Sequence, residues 1–218
     1  MSVRIKICGI TTPADAELAA SLGVDMIGLN FYPKSPRCID EATARSIVHV
    51  LPATCEAVAL FVDESPARAL KRARDLGISI VQLHGEHREP LVDGVKWIHA
   101  FPVRDRQSVD SIESHVRAAA PLPFAILVDA HVPGMHGGTG QTAPWQLLAD
   151  FKPGVPLILA GGLTPENVAE AIRIVRPYAV DVASGVESSP GRKDADKLRR
   201  FVEAVRAYVA VHSPKQAK

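Results

Sequence analysis

The chain has 218 residues, 47% hydrophobic and 22% charged, proportions that support a full buried core and exclude disorder as the main state. Lys plus Arg number 25 against 24 Asp plus Glu, a net charge of +1, so no global field is available to hold a nucleic acid or an anionic membrane, and any anion needs a local site. Cys8, Cys38 and Cys55 form no C-x-x-C pair, which excludes a disulfide framework and a zinc ribbon and points to a reducing compartment.

The start, Met1-Ser2-Val3-Arg4-Ile5-Lys6, carries charges where a signal peptide needs apolar residues, and no run approaches the roughly 18 apolar residues of a membrane span. A cytoplasmic protein is expected. Short β-branched apolar runs predict strands at 3–8, 25–30, 56–63, 79–84, 96–101, 124–129, 156–161 and 178–184. Helical periodicity fills the gaps at 14–22, 42–51, 67–76 and 168–175. Thr12-Pro13, Ser65-Pro66 and Thr164-Pro165 each place a capping hydroxyl before a proline at the first helical position. Residues 85–95 are short and polar, so the fourth helix is expected to be a single turn, and the chain is expected to fray from about His212.

Eight βα units without a linker predict an α/β fold, a (β/α)8 TIM barrel with residues 1–218 as a single domain, since about 200 residues suffice for one. An open doubly wound sheet is less favoured because the turn after the first strand, Cys8-Gly9-Ile10-Thr11, lacks the G-x-G-x-x-G pattern. Strand alternation then sorts the side chains. It turns Val3, Ile5, Ile7, Val81, Leu83, Phe124, Ile126, Val128, Val180 and Val182 towards the helices, and Lys6, Cys8, Gln82, His84, Asp129 and Asp181 inwards. Asn30 closes the second strand in the same manner. Cys8, Asn30, His84 and Asp129 thus reach the C-terminal rim, where barrel enzymes keep their chemistry. Taken singly, a lone Cys is commonly a small buried hydrophobe and a strand-end Asp a cap; their convergence on one face favours a site. Lys6 and Asp181 lie a layer deeper and read as an internal ion pair.

Glycine turns follow the later strands: Gly137-Gly138-Thr139-Gly140, Gly161-Gly162 and Ser184-Gly185. Each suits a tight turn, but glycine also lets backbone N–H groups approach an anion, and the loops after strands seven and eight are frequent phosphate sites. A small phosphorylated molecule is the expected ligand, with Gly138, Gly140, Gly161, Gly162, Ser184 and Gly185 among its contacts and His84 and Asn30 beside them. Asp129, His131 and His136 lack the spacing of a ligand helix, so no metal is expected.

Six segments carry a resemblance: Lys6-Ile7-Cys8-Gly9-Ile10-Thr11, Phe31-Tyr32-Pro33-Lys34-Ser35-Pro36-Arg37, Val81-Gln82-Leu83-His84-Gly85, Gly137-Gly138-Thr139-Gly140, Leu159-Ala160-Gly161-Gly162-Leu163 and Asp181-Val182-Ala183-Ser184-Gly185-Val186-Glu187. In that order they resemble the motifs of the phosphoribosylanthranilate isomerase family, from one end of the chain to the other. The resemblance implies a (β/α)8 barrel that isomerises N-(5-phosphoribosyl)anthranilate in tryptophan biosynthesis without metal or organic cofactor. It implies that Cys8 is the general base, Asp129 the general acid, and Arg37 the partner of the anthranilate carboxylate. Cys38 after Arg37, where an aromatic is frequent, and His87 are small departures around the anthranilate pocket. The expected assembly is a monomer or homodimer, with no nucleic-acid or membrane partner.

Other readings lie close. The histidine-pathway aminoaldose isomerase performs the same rearrangement but is expected to carry Asp where Cys8 stands. Indole-glycerol-phosphate synthase would need an additional N-terminal segment. A non-catalytic phosphosugar-binding barrel would tolerate loss of Cys8 and Asp129.

Overall fold

Strand alternation divides the apolar residues between two cores. The computed structural model describes residues 2–85, 95–129 and 144–212. Eight parallel strands, β1 (Arg4–Cys8), β2 (Met26–Asn30), β3 (Glu56–Val62), β4 (Ile80–His84), β5 (Lys96–Pro102), β6 (Ala125–Asp129), β7 (Leu157–Ala160) and β8 (Ala179–Val182), close in sequence order into a barrel. Met26, Val58, Ile80, Ile98, Leu127 and Ile158 fill its interior. Ile5, Ile7, Val81, Leu83, Ile126, Val128, Val180 and Val182 pack outwards against the helices, as the alternation requires. Phe124 differs from expectation. It precedes β6 and packs with Tyr178 against the inner cluster, their rings edge to face at 6.5 Å, so the strand's alternation does not reach it.

The helices are α1 (Pro13–Ser21), α2 (Glu41–Val50), α3 (Pro66–Asp75), α4 (Arg106–Ala118), α5 (Val168–Val175) and α6 (Ala195–His212). Thr12 Oγ1 accepts from Asp15 N at 3.2 Å and Ser65 Oγ from Arg68 N at 3.4 Å, each just before a proline in the first turn. Such caps satisfy backbone donors that a helix start leaves open. Helix α5 buries Val168, Ala171, Ile172 and Val175 along one stripe, and each large aliphatic side chain so buried contributes about 1.5–3 kcal/mol.

Thr164-Pro165 does not start α5 directly. Asn167 Oδ1 accepts from Thr164 N at 2.8 Å, and Asn167 Nδ2 donates to the Gly162 carbonyl at 2.9 Å. A turn therefore comes first and braces the glycine pair after β7, delaying the helix to Val168. Helix α4, capped by Asp105 and buried through Val109, Ile112 and Val116, fills a gap for which the sequence reading named no element. The eighth strand stops short of its predicted end because Ser184–Val186 forms a 3-10 turn. A hairpin follows, β9 (Glu187–Ser189) against β10 (Arg192–Lys193). The predicted single turn at 85–95 and the fraying tail fall largely outside the described residues.

Candidate active site

The C-terminal ends of the strands surround a cavity of about 300 Å³. Its lining includes Cys8 from β1, Gln82 and His84 from β4, Asp129 from β6, Gly161 and Gly162 after β7, Asp181 from β8, and Ser184 and Gly185 beyond it. Seven of the residues singled out from sequence therefore share one space: Cys8, His84, Asp129, Gly161, Gly162, Ser184 and Gly185. Gly138, Gly140, His87, His131 and His136 lie outside the described residues.

Asn30 and Arg37 stand apart from this lining. The Asn30 side chain accepts from Tyr32 N at 2.8 Å and donates to Ser35 Oγ at 3.2 Å, so its amide braces the loop that follows β2. Ser35 Oγ in turn accepts from Arg37 N at 3.1 Å. Arg37 lies over Gly9, whose φ of +72° and lack of a Cβ admit the arginine stem. Its guanidinium forms a fork with Glu187, Nε to Oε1 at 2.7 Å and Nη2 to Oε2 at 2.6 Å.

Glu187 and Lys193 were not anticipated. Lys193, buried on β10, donates from Nζ to the Cys8 carbonyl at 2.7 Å, the Ala183 carbonyl at 3.2 Å and Glu187 Oε1 at 3.0 Å. An ammonium has three hydrogens, and these three acceptors occupy them. Burial pulls Lys193 below the ordinary lysine range against the attraction of Glu187. Burial would lift the Glu187 carboxyl, but Arg37 and Lys193 outweigh it and hold it below its usual value. Their proximity in sequence, Glu187 and Lys193 around Gly191, was the available signal. Charged residues in a short loop read as solvated unless their long-range partners are known.

Beneath the cavity Lys6, fully buried, meets Asp181 with Nζ–Oδ1 at 3.0 Å across the β1–β8 pairing. Burial alone would lower the Lys6 ammonium, but the Asp181 and Cys8 charges prevail and raise it. Burial lifts the Asp181 carboxyl, with Lys6 opposing. Burial also pushes the Cys8 thiol up; Lys6 and Lys193 pull it down, while Asp181 adds to the rise. Gly28, paired with Cys8 across β1 and β2, leaves the room this arrangement needs: a Cβ there would stand 2.8 Å from Cys8 Sγ and 3.2 Å from Lys6 Nζ.

Gln82 is the other residue the sequence reading faced inwards without giving it a role in the site. Its Nε2 pairs with His84 Nε2 at 2.8 Å, and its buried Oε1 has no hydrogen-bond partner among the described residues. An unsatisfied buried amide oxygen favours a ligand that can donate to it.

A sequence model of the family described as PRAI, N-(5'phosphoribosyl)anthranilate (PRA) isomerase, matches residues 5–204. The N-(5'-phosphoribosyl)anthranilate isomerase of Trichlorobacter lovleyi is 44% identical over 203 residues, 92% of this chain and 96% of its own. The crystal structure of phosphoribosyl anthranilate isomerase from Thermotoga maritima superposes with a TM-score of 0.83 at 38% identity, covering 94% of this chain and 100% of that one. A crystal structure of such an isomerase with reduced 1-(o-carboxyphenylamino)-1-deoxyribulose 5-phosphate gives 0.81 at 36% identity, again over 94% and 100%. One describing monomers generated from the dimeric Thermotoga maritima protein gives 0.79 at 34%, with the same coverage. The chain belongs to the N-(5'-phosphoribosyl)anthranilate isomerase family, isomerases of tryptophan biosynthesis.

Proposed function

We propose that the barrel mouth isomerises N-(5'-phosphoribosyl)anthranilate to 1-(2-carboxyphenylamino)-1-deoxyribulose 5-phosphate, with Asp129 as general acid and Cys8 as general base. The observation that carries this reading is that the two side chains line one cavity from opposite parts of the barrel. The Asp129 carboxyl gives its proton to the furanose ring oxygen as the C1′–O bond breaks, and the anthranilate nitrogen lone pair completes an iminium. The Cys8 thiolate then removes the C2′ proton, and the C–H pair becomes a C1′–C2′ double bond that neutralises the nitrogen. The resulting enolamine tautomerises to the ketone by losing its O2′ proton and gaining one at C1′. Electrons and protons are redistributed within one molecule, and one acid with one base suffices.

Gly162, Ser184 and Gly185 suit the phosphate, since glycine brings backbone N–H groups close to an anion. Gly161 and Gly162 have φ of +89° and +64°, conformations in which other residues are strained. Gln82 and His84 suit the ribosyl hydroxyls. A single domain, cytoplasmic and acting as a monomer or homodimer on this small phosphorylated substrate, completes the proposal; among the described residues no helix is long and apolar enough to cross a membrane. The deciding experiment follows the fluorescence of freshly prepared substrate with and without the protein. Accelerated conversion is expected, and a rate equal to the uncatalysed one overturns the proposal. Inorganic sulfate should inhibit competitively; inhibition unaffected by substrate concentration would place the phosphate elsewhere.

Arg37 would take the anthranilate carboxylate. Glu187 occupies the Nε–Nη2 edge of its guanidinium, which leaves the edge at Nη1 for a second anion. Lysine keeps the charge but not the planar fork. Arg37→Lys should therefore raise KM on the order of 10-fold, because hydrogen bonds to charged groups are worth about 1.5–3 kcal/mol. The check is to compare the variant's affinity for product analogues with and without the ring carboxylate. Equal losses for both would withdraw the role.

A further inference from the structure

A thiol is a base only as thiolate, and Cys8 is buried where a bare anion is disfavoured, so some cation must favour the charged form. Among the described residues the charged or titratable groups around the cavity mouth include Lys6 on β1, His84 on β4, Asp129 on β6, Asp181 on β8, Glu187 on β9, Lys193 on β10 and Arg37 on the loop after β2. Arg37 is committed to Glu187 along one edge, and the three hydrogens of Lys193 are committed to two carbonyls and Glu187. Lys6 gives one hydrogen to Asp181, leaving two for the space over Gly28 that its Nζ shares with Cys8 Sγ.

We propose that Lys6 is a positioning residue of the reaction, its buried ammonium favouring the thiolate form of the Cys8 sulfur against the effect of burial while Asp181 holds the ammonium in place and limits its effect. The proposal rests on the assignment of Cys8 as the base. Burial keeps Lys6 from sharing its charge with solvent, and Asp181 keeps it protonated. The pull of Lys6 on the thiol and the opposing push of Asp181 follow from their charges. The pair therefore acts as a dipole whose two ends have opposite effects on one sulfur.

The Lys6 end of that dipole supplies the test. Thiolate ultraviolet absorbance is titrated in the full chain carrying Cys38→Ser and Cys55→Ser, with the same protein bearing Cys8→Ala as the blank. Lys6→Met is expected to raise the Cys8 midpoint by about one to three units, the range for an opposite charge at close quarters, so thiolate at neutral pH falls at least about tenfold. If Lys6→Met does not fold, Lys6→Met/Asp181→Leu replaces the pair with apolar groups, a change buried pairs commonly tolerate, and the midpoint should again rise. An unchanged midpoint in either folded Lys6 variant overturns the proposal. The acid limb of kcat/KM should move with the midpoint. If the midpoint moves while that limb stays, Lys6 does control the sulfur and it is the assignment of Cys8 as base that fails.

Discussion

Cys8→Ala and Asp129→Asn should each lower kcat by at least about 10²-fold, the lower end of general acid–base contributions, with KM changed far less. Each substitution removes a proton-transfer group and little volume. The Cys8 carbonyl held by Lys193 remains in Cys8→Ala, and Asn keeps the shape of Asp129 at the end of β6. Circular dichroism and thermal unfolding should therefore match the wild type. Near wild-type kcat in either folded variant would remove that residue from the mechanism. The two losses should also fail to add in the double variant if both groups act in the same rate-limiting sequence.

The largest effect on stability is expected at Glu187, which touches neither proposed reagent. Its side chain is 4% exposed and faces Lys193, 0% exposed, and Arg37, 22% exposed. Glu187→Ala leaves a buried ammonium without its counter-ion, a situation that costs about 3–5 kcal/mol, equivalent to a fall in Tm on the order of 10 °C for a chain of this length. The pH dependence has a definite sign. Glu187 has a depressed carboxyl pKa in the folded state, so its stabilisation is present above the unfolded glutamate pKa and is lost as pH falls through the folded one. Denaturant titrations of wild type and variant should diverge at neutral pH and converge in acid. A constant gap would show that the carboxylate charge is not the source.

Much of this architecture is legible in the residues because period-two alternation carries it. The Lys6–Asp181 contact follows from alternation plus barrel closure, and so does the meeting of Cys8 with Asp129 at one rim. Two hydroxyl-proline pairs mark helix starts for local reasons. The third, Thr164-Pro165, lies ahead of the helix, whose extent the periodicity at 168–175 gives correctly, because Asn167 binds both Thr164 and the Gly162 carbonyl, a choice made by the loop rather than by helix propensity. Asn30 has the right position for a ligand contact, yet its amide is taken up by Tyr32 and Ser35. Glu187 and Lys193 were missed for a different reason. Their partners, Arg37 and the Cys8 carbonyl, are 150 and 185 residues away in the chain, and nothing in a short charged hairpin announces such distant company. Helix α4 was readable from Val109, Ile112 and Val116, whose spacing was there to be used.

The grip of Lys193 on the Cys8 carbonyl bears on how the enzyme comes into being. During synthesis Cys8 leaves the ribosome 185 residues ahead of the side chain that fixes its backbone, which arrives only with β10. Every partial chain short of that point has the sulfur without its support. Contacts between such distant residues also form late and slowly in refolding, because a long loop must close before they return any stabilisation. Competence is therefore gained in one step, when the barrel's last segment reaches its first strand, and a premature terminus before Lys193 should give a protein that is inactive as well as unstable.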